Sequence, residues 1–177
     1  MNSDNPIILC VDDEAANIKL LEKILTPRGY TVVTAASGEE ALLMIKSQAI
    51  DLVLLDILMP GMDGFEVCRQ LKEDQKLRTI PVIIVTSLSA KQDRIRGIEA
   101  GAEEFLSKPF DPTDVLARIK LLLKVKQLNE DLDRAEATVQ KTHDDLECRV
   151  QERTAELAQA NEILQAEILR LKKHAGV

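Results

Sequence analysis

Three aspartates, a threonine–serine pair and a lysine each follow an apolar run in this 177-residue chain. "IILCV" leads into Asp12 and Asp13, "LVLL" into Asp56, "VIIV" into Thr86 and Ser87, and "EEFLS" into Lys108. Taken singly, an aspartate after a strand is usually a solvated turn or a helix cap, and a Lys-Pro step is usually a loop. Brought together they define a different chemistry. Carboxylates packed side by side raise one another's pKa and cost stability unless a cation neutralises them. Hard oxygen donors at that density favour Mg²⁺. A carboxylate beside Mg²⁺ is a competent nucleophile toward a phosphoryl group, and the product is an acyl phosphate. Asp56, held by its strand and followed by the turn formers Pro60, Gly61 and Gly64, is the candidate nucleophile. Lys108 can meet the product phosphate as a point charge, and Thr86 can hydrogen-bond it.

These groups meet only if the chain folds to bring them to one place. Residues 7–13, 53–57 and 81–87 are apolar without alternation, which suits strands buried on both faces of a parallel sheet. Weaker strands fall at 31–36 and 103–107. Between them, residues 15–27 set Ile18, Leu21, Ile24 and Leu25 on one helical face, with Gly29 placed to cap its end. Ser37 is a candidate N-cap ahead of "GEEALLMIKS", and further helices are predicted near 64–75 and 90–100. Five β/α alternations predict a doubly wound, three-layer α/β fold. In such a sheet helices cover both faces, so reactive groups gather beyond the carboxyl ends of the strands.

At these spacings "VDDE", "LVLLDILMPGMDG", "PVIIVTS" and "FLSKPF" resemble the receiver domain of bacterial two-component response regulators (CheY-like), over about residues 6–124. The resemblance implies a flavodoxin-like, five-stranded parallel sheet of order 2-1-3-4-5. It makes Asp56 the phosphoacceptor, with a histidine kinase or phosphotransfer protein as donor. It makes Asp13 and Asp56 direct Mg²⁺ ligands, with Asp12 acting mainly through water and the Leu58 carbonyl completing the protein ligands. Thr86 becomes the switch hydroxyl, Phe105 the switch aromatic, and Lys108 the phosphate contact, with a cis peptide before Pro109. Every signature residue of the family is present. Leu58 and Leu88, each two residues beyond a site residue, are apolar and could shield the acyl phosphate from water.

The remainder has a different texture. All six Pro, six of the seven Gly and all four aromatic residues lie at or before Pro112, so nothing after it interrupts a helix until Gly176. Asp111-Pro112-Thr113-Asp114 is a strong helix start, and Val115, Leu116, Ile119 and Leu122 form a face for the sheet. From Val125 the spacing becomes three-four: Val125, Leu128, Leu132, Ala135, Val139, Thr142 and Leu146 alternate as a and d. A second run, Val150, Thr154, Leu157, Asn161, Leu164, Ile168 and Leu171, is displaced by one residue. That insertion unwinds the supercoil locally without breaking the helix. Asn161 at an a position favours a parallel, in-register homodimer. The expected domains are therefore a receiver at 1–124 and, continuous with its last helix, a dimeric coiled coil at 125–177. The later coil also resembles the linkers that join receiver domains to a downstream effector, and Leu121 to Val125 must serve both the receiver core and the dimer seam.

Other functions are disfavoured. A net charge of −7 with no basic, aromatic-rich stripe argues against direct nucleic-acid binding. No apolar run is long enough to span a bilayer and no signal sequence is present, so the expected location is cytoplasmic. Cys10, Cys68 and Cys148 lack metal-ligand spacing and read as reduced structural thiols. His143, at an e position, reads as a solvated coil histidine rather than a phosphorylated one. Two alternatives to a regulator remain: a constitutive coiled-coil scaffold with a docking domain, and a metal-dependent phosphatase using Asp56. The latter lacks a second catalytic acid, so only slow self-dephosphorylation is expected.

Overall fold

The structure, a computed structural model, describes residues 5–87 and 91–174. Leu88 lies outside them. Five strands, β1 (Ile7–Val11), β2 (Thr31–Ala35), β3 (Leu52–Asp56), β4 (Val82–Thr86) and β5 (Glu104–Ser107), alternate with helices. These are α1 (Ala15–Leu25), α2 (Gly38–Ser47), α3 (Gly64–Glu73), α4 (Lys91–Glu99) and α5 (Pro112–His174). All strand pairings are parallel and the order is β2-β1-β3-β4-β5, as expected.

The non-alternating runs explain the layers. Every residue of β3 and β4 is buried, because successive side chains serve opposite helical layers. On one face Leu9, Val11, Val53, Leu55 and Ile84 pack against α2 and α3, with Ala41, Ile45, Phe65, Val67 and Leu71. On the other, Ile8, Cys10, Leu54, Ile83 and Val85 pack against Leu21 and Leu25 of α1 and Val115 and Ile119 of α5. Both α5 residues are fully buried, each worth about 1.5–3 kcal/mol against exposure. Burial also pushes the Cys10 thiol up to about 12 and the Cys68 thiol up to about 11, so both are inert packing groups.

Local chemistry sets the boundaries. Ser37 accepts the Glu40 amide at 3.2 Å and the Glu40 carboxylate accepts the Ala36 amide at 2.7 Å, which starts α2 and ends β2 one residue earlier than predicted. The first helix stops at Leu25 rather than residue 27. Pro27 has no N–H to continue the ladder, and Thr26–Arg28 tighten into a 3₁₀ turn closed by Gly29 at φ +86°. Asp111 accepts the Thr113 amide at 2.6 Å and fixes the start of α5.

By compactness the chain divides into Met1–Leu128 and Asn129–Val177. Within the first unit, one ion pair escaped the sequence reading. Asp51, just before β3, takes the Ile7 amide at 2.9 Å and Lys126 Nζ of α5 at 2.7 Å. Burial opposes its charge, but these contacts prevail and hold its carboxyl below its ordinary value. A lowered folded pKa means the unfolded chain binds the proton more readily. The stabilisation is therefore present above the unfolded pKa of about 4 and is lost as pH falls through the lower folded value. Lys126→Met is expected to cost less than about 1 kcal/mol near neutrality, since the carboxylate is partly solvated. In urea titrations that gap should narrow as pH falls below the unfolded value and Asp51 takes up its proton in the folded state as well.

In the second unit α5 is a single helix whose a and d residues are exposed, among them Leu132, Leu146, Leu157, Leu164 and Leu171. Ile163 and Leu169 add exposed apolar surface outside that seam. His143 is exposed and lies 3.5 Å from Glu147 one turn on.

Candidate functional site

At the C-terminal rim of the sheet β1, β3, β4 and β5 deliver four of the predicted residues to one region. Asp56 is the last residue of β3, beside Val85 of β4. Asp12 follows β1, its amide bonded to the Ala35 carbonyl at 3.2 Å. The Thr86–Ser107 register and a 2.8 Å bond from the Lys108 amide to the Thr86 carbonyl aim Lys108 inward. The Lys108–Pro109 peptide is cis. Lys108 Nζ donates to Asp12 Oδ2 at 2.7 Å and to Asp56 Oδ2 at 2.9 Å, bridging the two carboxylates.

The other oxygens are held as well. Asp56 Oδ1 accepts its neighbour's amide, Ile57 N–H, at 2.9 Å. Asp12 Oδ1 accepts Glu14 N–H at 2.9 Å and the Asn17 side-chain amide at 3.0 Å. Asn17 was not singled out from sequence; an amide five residues beyond an aspartate carries no motif. Asp12, Asp56 and Thr86 are the buried polar residues of the core, while Asp13 is exposed. Burial raises the Asp56 carboxyl and neighbouring Asp12 adds to the rise, with Lys108 opposing both. For Lys108 burial works against the charge, yet its bonds to Asp12 and Asp56 prevail and raise its pKa.

One carboxylate oxygen from each of Asp12, Asp13 and Asp56 lies within 4.8 Å of the others. Three hard anionic donors so close, with a single ammonium against two of them, fit a hard divalent cation. Leu58, two residues beyond Asp56, is 53% exposed. Phe105 is half-buried, with Arg94 5.7 Å from its ring centroid and Gly97 against its edge.

Gly64 is the residue that lets the loop after Asp56 return so tightly. A Cβ there would lie 2.2 Å from the Asp56 carbonyl oxygen and 2.9 Å from Ile57 Cα, both backbone atoms that cannot yield cheaply. Gly64→Ala is expected to cost about 2–3 kcal/mol, read as a fall in the urea midpoint at unchanged slope.

A doubly wound parallel sheet with an acidic, lysine-bridged cluster at its carboxyl rim defines a flavodoxin-like signalling domain. The chain belongs to the response regulator receiver domain family, whose model matches residues 8–120. It is 47% identical over 131 residues to the response regulator PleD of Caulobacter vibrioides, covering 74% of this chain and 29% of that protein. It is 41% identical over 124 residues to the alkaline phosphatase synthesis transcriptional regulatory protein PhoP of Bacillus subtilis, covering 70% of this chain and 51% of PhoP. The chain thus spans about a third to a half of these relatives' length. A solved response regulator from Chloroflexus aurantiacus superposes with a TM-score of 0.66 at 37% identity, over 68% of this chain and 98% of that one.

Proposed function

We propose that the chain is a phosphorylation-dependent response regulator whose receiver accepts a phosphoryl group on Asp56 and passes the change through α5 into a dimeric coiled coil. The observation that carries this reading is the convergence of Asp12, Asp13, Asp56 and Lys108 at one rim. A histidine kinase or phosphotransfer protein is the donor. One Asp56 oxygen attacks phosphorus, the P–N bond to the donor imidazole breaks, and the imidazole leaves with its electron pair and takes up a proton. Asp13, Asp56 and the Leu58 carbonyl, with Asp12 acting through water, would hold Mg²⁺, which would supply charge neutralisation on the phosphoryl oxygens. Ile57 N–H holds the second Asp56 oxygen in place. Lys108 exchanges its bond to Asp56 Oδ2 for one to the new phosphate, and Thr86 donates its hydroxyl to it.

Closure of Thr86 on the phosphate frees space for Phe105, whose ring is flanked by Arg94 and Gly97. That rearranges the face built by α4 and the receiver part of α5. The exposed a and d residues of α5, with Asn161 among them, suit a second copy in parallel register. The receiver extends over 1–124 and the coil over 125–177, with Leu121 to Val125 as the joint. A cytoplasmic location agrees with the absence, among the described residues, of any helix long and apolar enough to cross a membrane. The chain is a phosphoacceptor rather than an enzyme, with self-dephosphorylation as its only turnover, and its output passes to a downstream effector.

Spin labels at paired coil positions test this. Beryllofluoride with Mg²⁺ is expected to shift inter-protomer distances along the coil in the wild type and not in Asp56→Asn. Distances that stay fixed in both proteins would instead support a constitutive scaffold, in which the receiver only docks.

A further inference from the structure

Between the loop after Asp56 and α4 lies a cavity of about 430 Å³, open to solvent. It is lined by residues 57–60, Asp13, Asp63, Phe65 and Arg96. Asp63 is committed to capping α3, accepting the Glu66 amide at 2.8 Å. Asp63 thus sets a carboxylate against any incoming phosphoryl donor, which is itself an anion, and Asp13 adds a second wherever the cation it would hold does not neutralise it. Lys108 cannot offset them at that stage, because Asp12 and Asp56 already share its ammonium. Arg96 is placed to do so. Its guanidinium carbon sits 4.5 Å from the centroid of Phe65, a ring that is 2% exposed and therefore fixed. Of the other cations on α3 and α4, Arg69 pairs with Glu66, Lys72 pairs with Glu103, and Arg94 lies over Phe105. Arg96 makes no ion pair with a carboxylate among the described residues, and it is exposed. Stacking uses the face of a guanidinium and leaves its in-plane N–H groups free for a planar pair of oxygens.

We infer that Arg96, parked on Phe65, is a specificity-determining residue for the phosphoryl donor, capturing the phosphoryl oxygens at the cavity mouth before transfer to Asp56. The inference rests on the phosphoacceptor reading above. It names a chemistry, a phosphoryl group of high negative charge, whether carried on oxygen as in an acyl phosphate or on nitrogen as in a phosphoramide. The residue acts in capture. It should govern the second-order constant at limiting donor and leave the saturating transfer rate nearly untouched.

The experiment compares incorporation at position 56 from acetyl phosphate and from the less negative phosphoramidate, in Mg²⁺, for the full chain and its R96Q, R96K and F65L variants. R96Q is expected to slow capture of acetyl phosphate by about 3- to 10-fold at low salt. The loss should be smaller for phosphoramidate, shrink in high salt, and be partly recovered in R96K. F65L, which keeps the charge but removes its platform, should fall between R96Q and wild type. An R96Q protein labelled as fast as wild type overturns the inference. So does a loss that is equal for both donors and insensitive to salt, which would mark Arg96 as a packing residue only. A wild type that takes no label at position 56 overturns the phosphoacceptor reading first, and this inference with it.

Discussion

Replacing Asp56 with asparagine is expected to reduce phosphoryl incorporation to background, a loss on the order of a thousandfold or more, while leaving the domain folded. The carboxylate is the nucleophile, and an amide of the same shape offers no comparable electron pair. The fold should tolerate the change because the one oxygen of asparagine can still accept the Ile57 amide, and Lys108, which loses its acceptor at position 56, keeps its bond to Asp12. Losing a buried carboxyl offsets part of that lost bond: burial lifts Asp56 above its ordinary value, so the fold disfavours the ionised form and stability falls as pH rises through that raised value. Radiolabel incorporation and a urea titration on the same preparation separate the two effects. A variant that loses labelling only because it unfolds would not support the assignment.

Lys108→Met should have the largest effect on stability. The lysine bridges Asp12 and Asp56, whose side chains are 3% and 8% exposed. Removing the ammonium leaves two nearly buried carboxylates facing each other with no other ion-pair partner among the described residues. Breaking one side of such a pair costs about 3 kcal/mol or more. Some of that is relieved, because Asp12 keeps its bonds from Glu14 and Asn17 and the pair can share a proton. The expected result is a fall of about 3 kcal/mol in the urea stability measured in chelator. Added Mg²⁺ should recover more stability in the variant than it adds to the wild type, since it binds the folded cluster and not the unfolded chain. Equal stabilities in chelator would mean that the bridge contributes nothing to the fold.

The cluster was legible from sequence because strand ends in a doubly wound sheet are fixed in space by the sheet itself. Asp12, Asp56, Thr86 and Lys108 each sit at or just past the last residue of a strand, so naming the strands placed the residues. The strand order was not readable in that way and came with the family likeness. The bounds drifted where side chains competed with the ladder: at Ala36, whose amide goes to Glu40, and at Pro27, which tightens the end of α1. What escaped altogether were contacts made by long, flexible side chains across large separations. Lys126 reaches Asp51 from 75 residues away, and Arg96 covers Phe65 from another helix. Neither position carries a local pattern, since a lysine or arginine on a helix surface is ordinarily solvated. The coil shows the reverse case. Its heptads were plain in the sequence, and the helix is continuous, but a seam is a relation between two chains.

The most direct test of the central claim is the position of the acyl phosphate itself. The full chain would be incubated with a phosphoryl donor and Mg²⁺, reduced with borohydride so that an aspartyl phosphate becomes homoserine, and digested for mass spectrometry. Homoserine at position 56 and at no other aspartate is the expected result. Modification of Asp12 or Asp13 instead, or an Asp56 that stays unmodified in protein that has taken up phosphate, would contradict it.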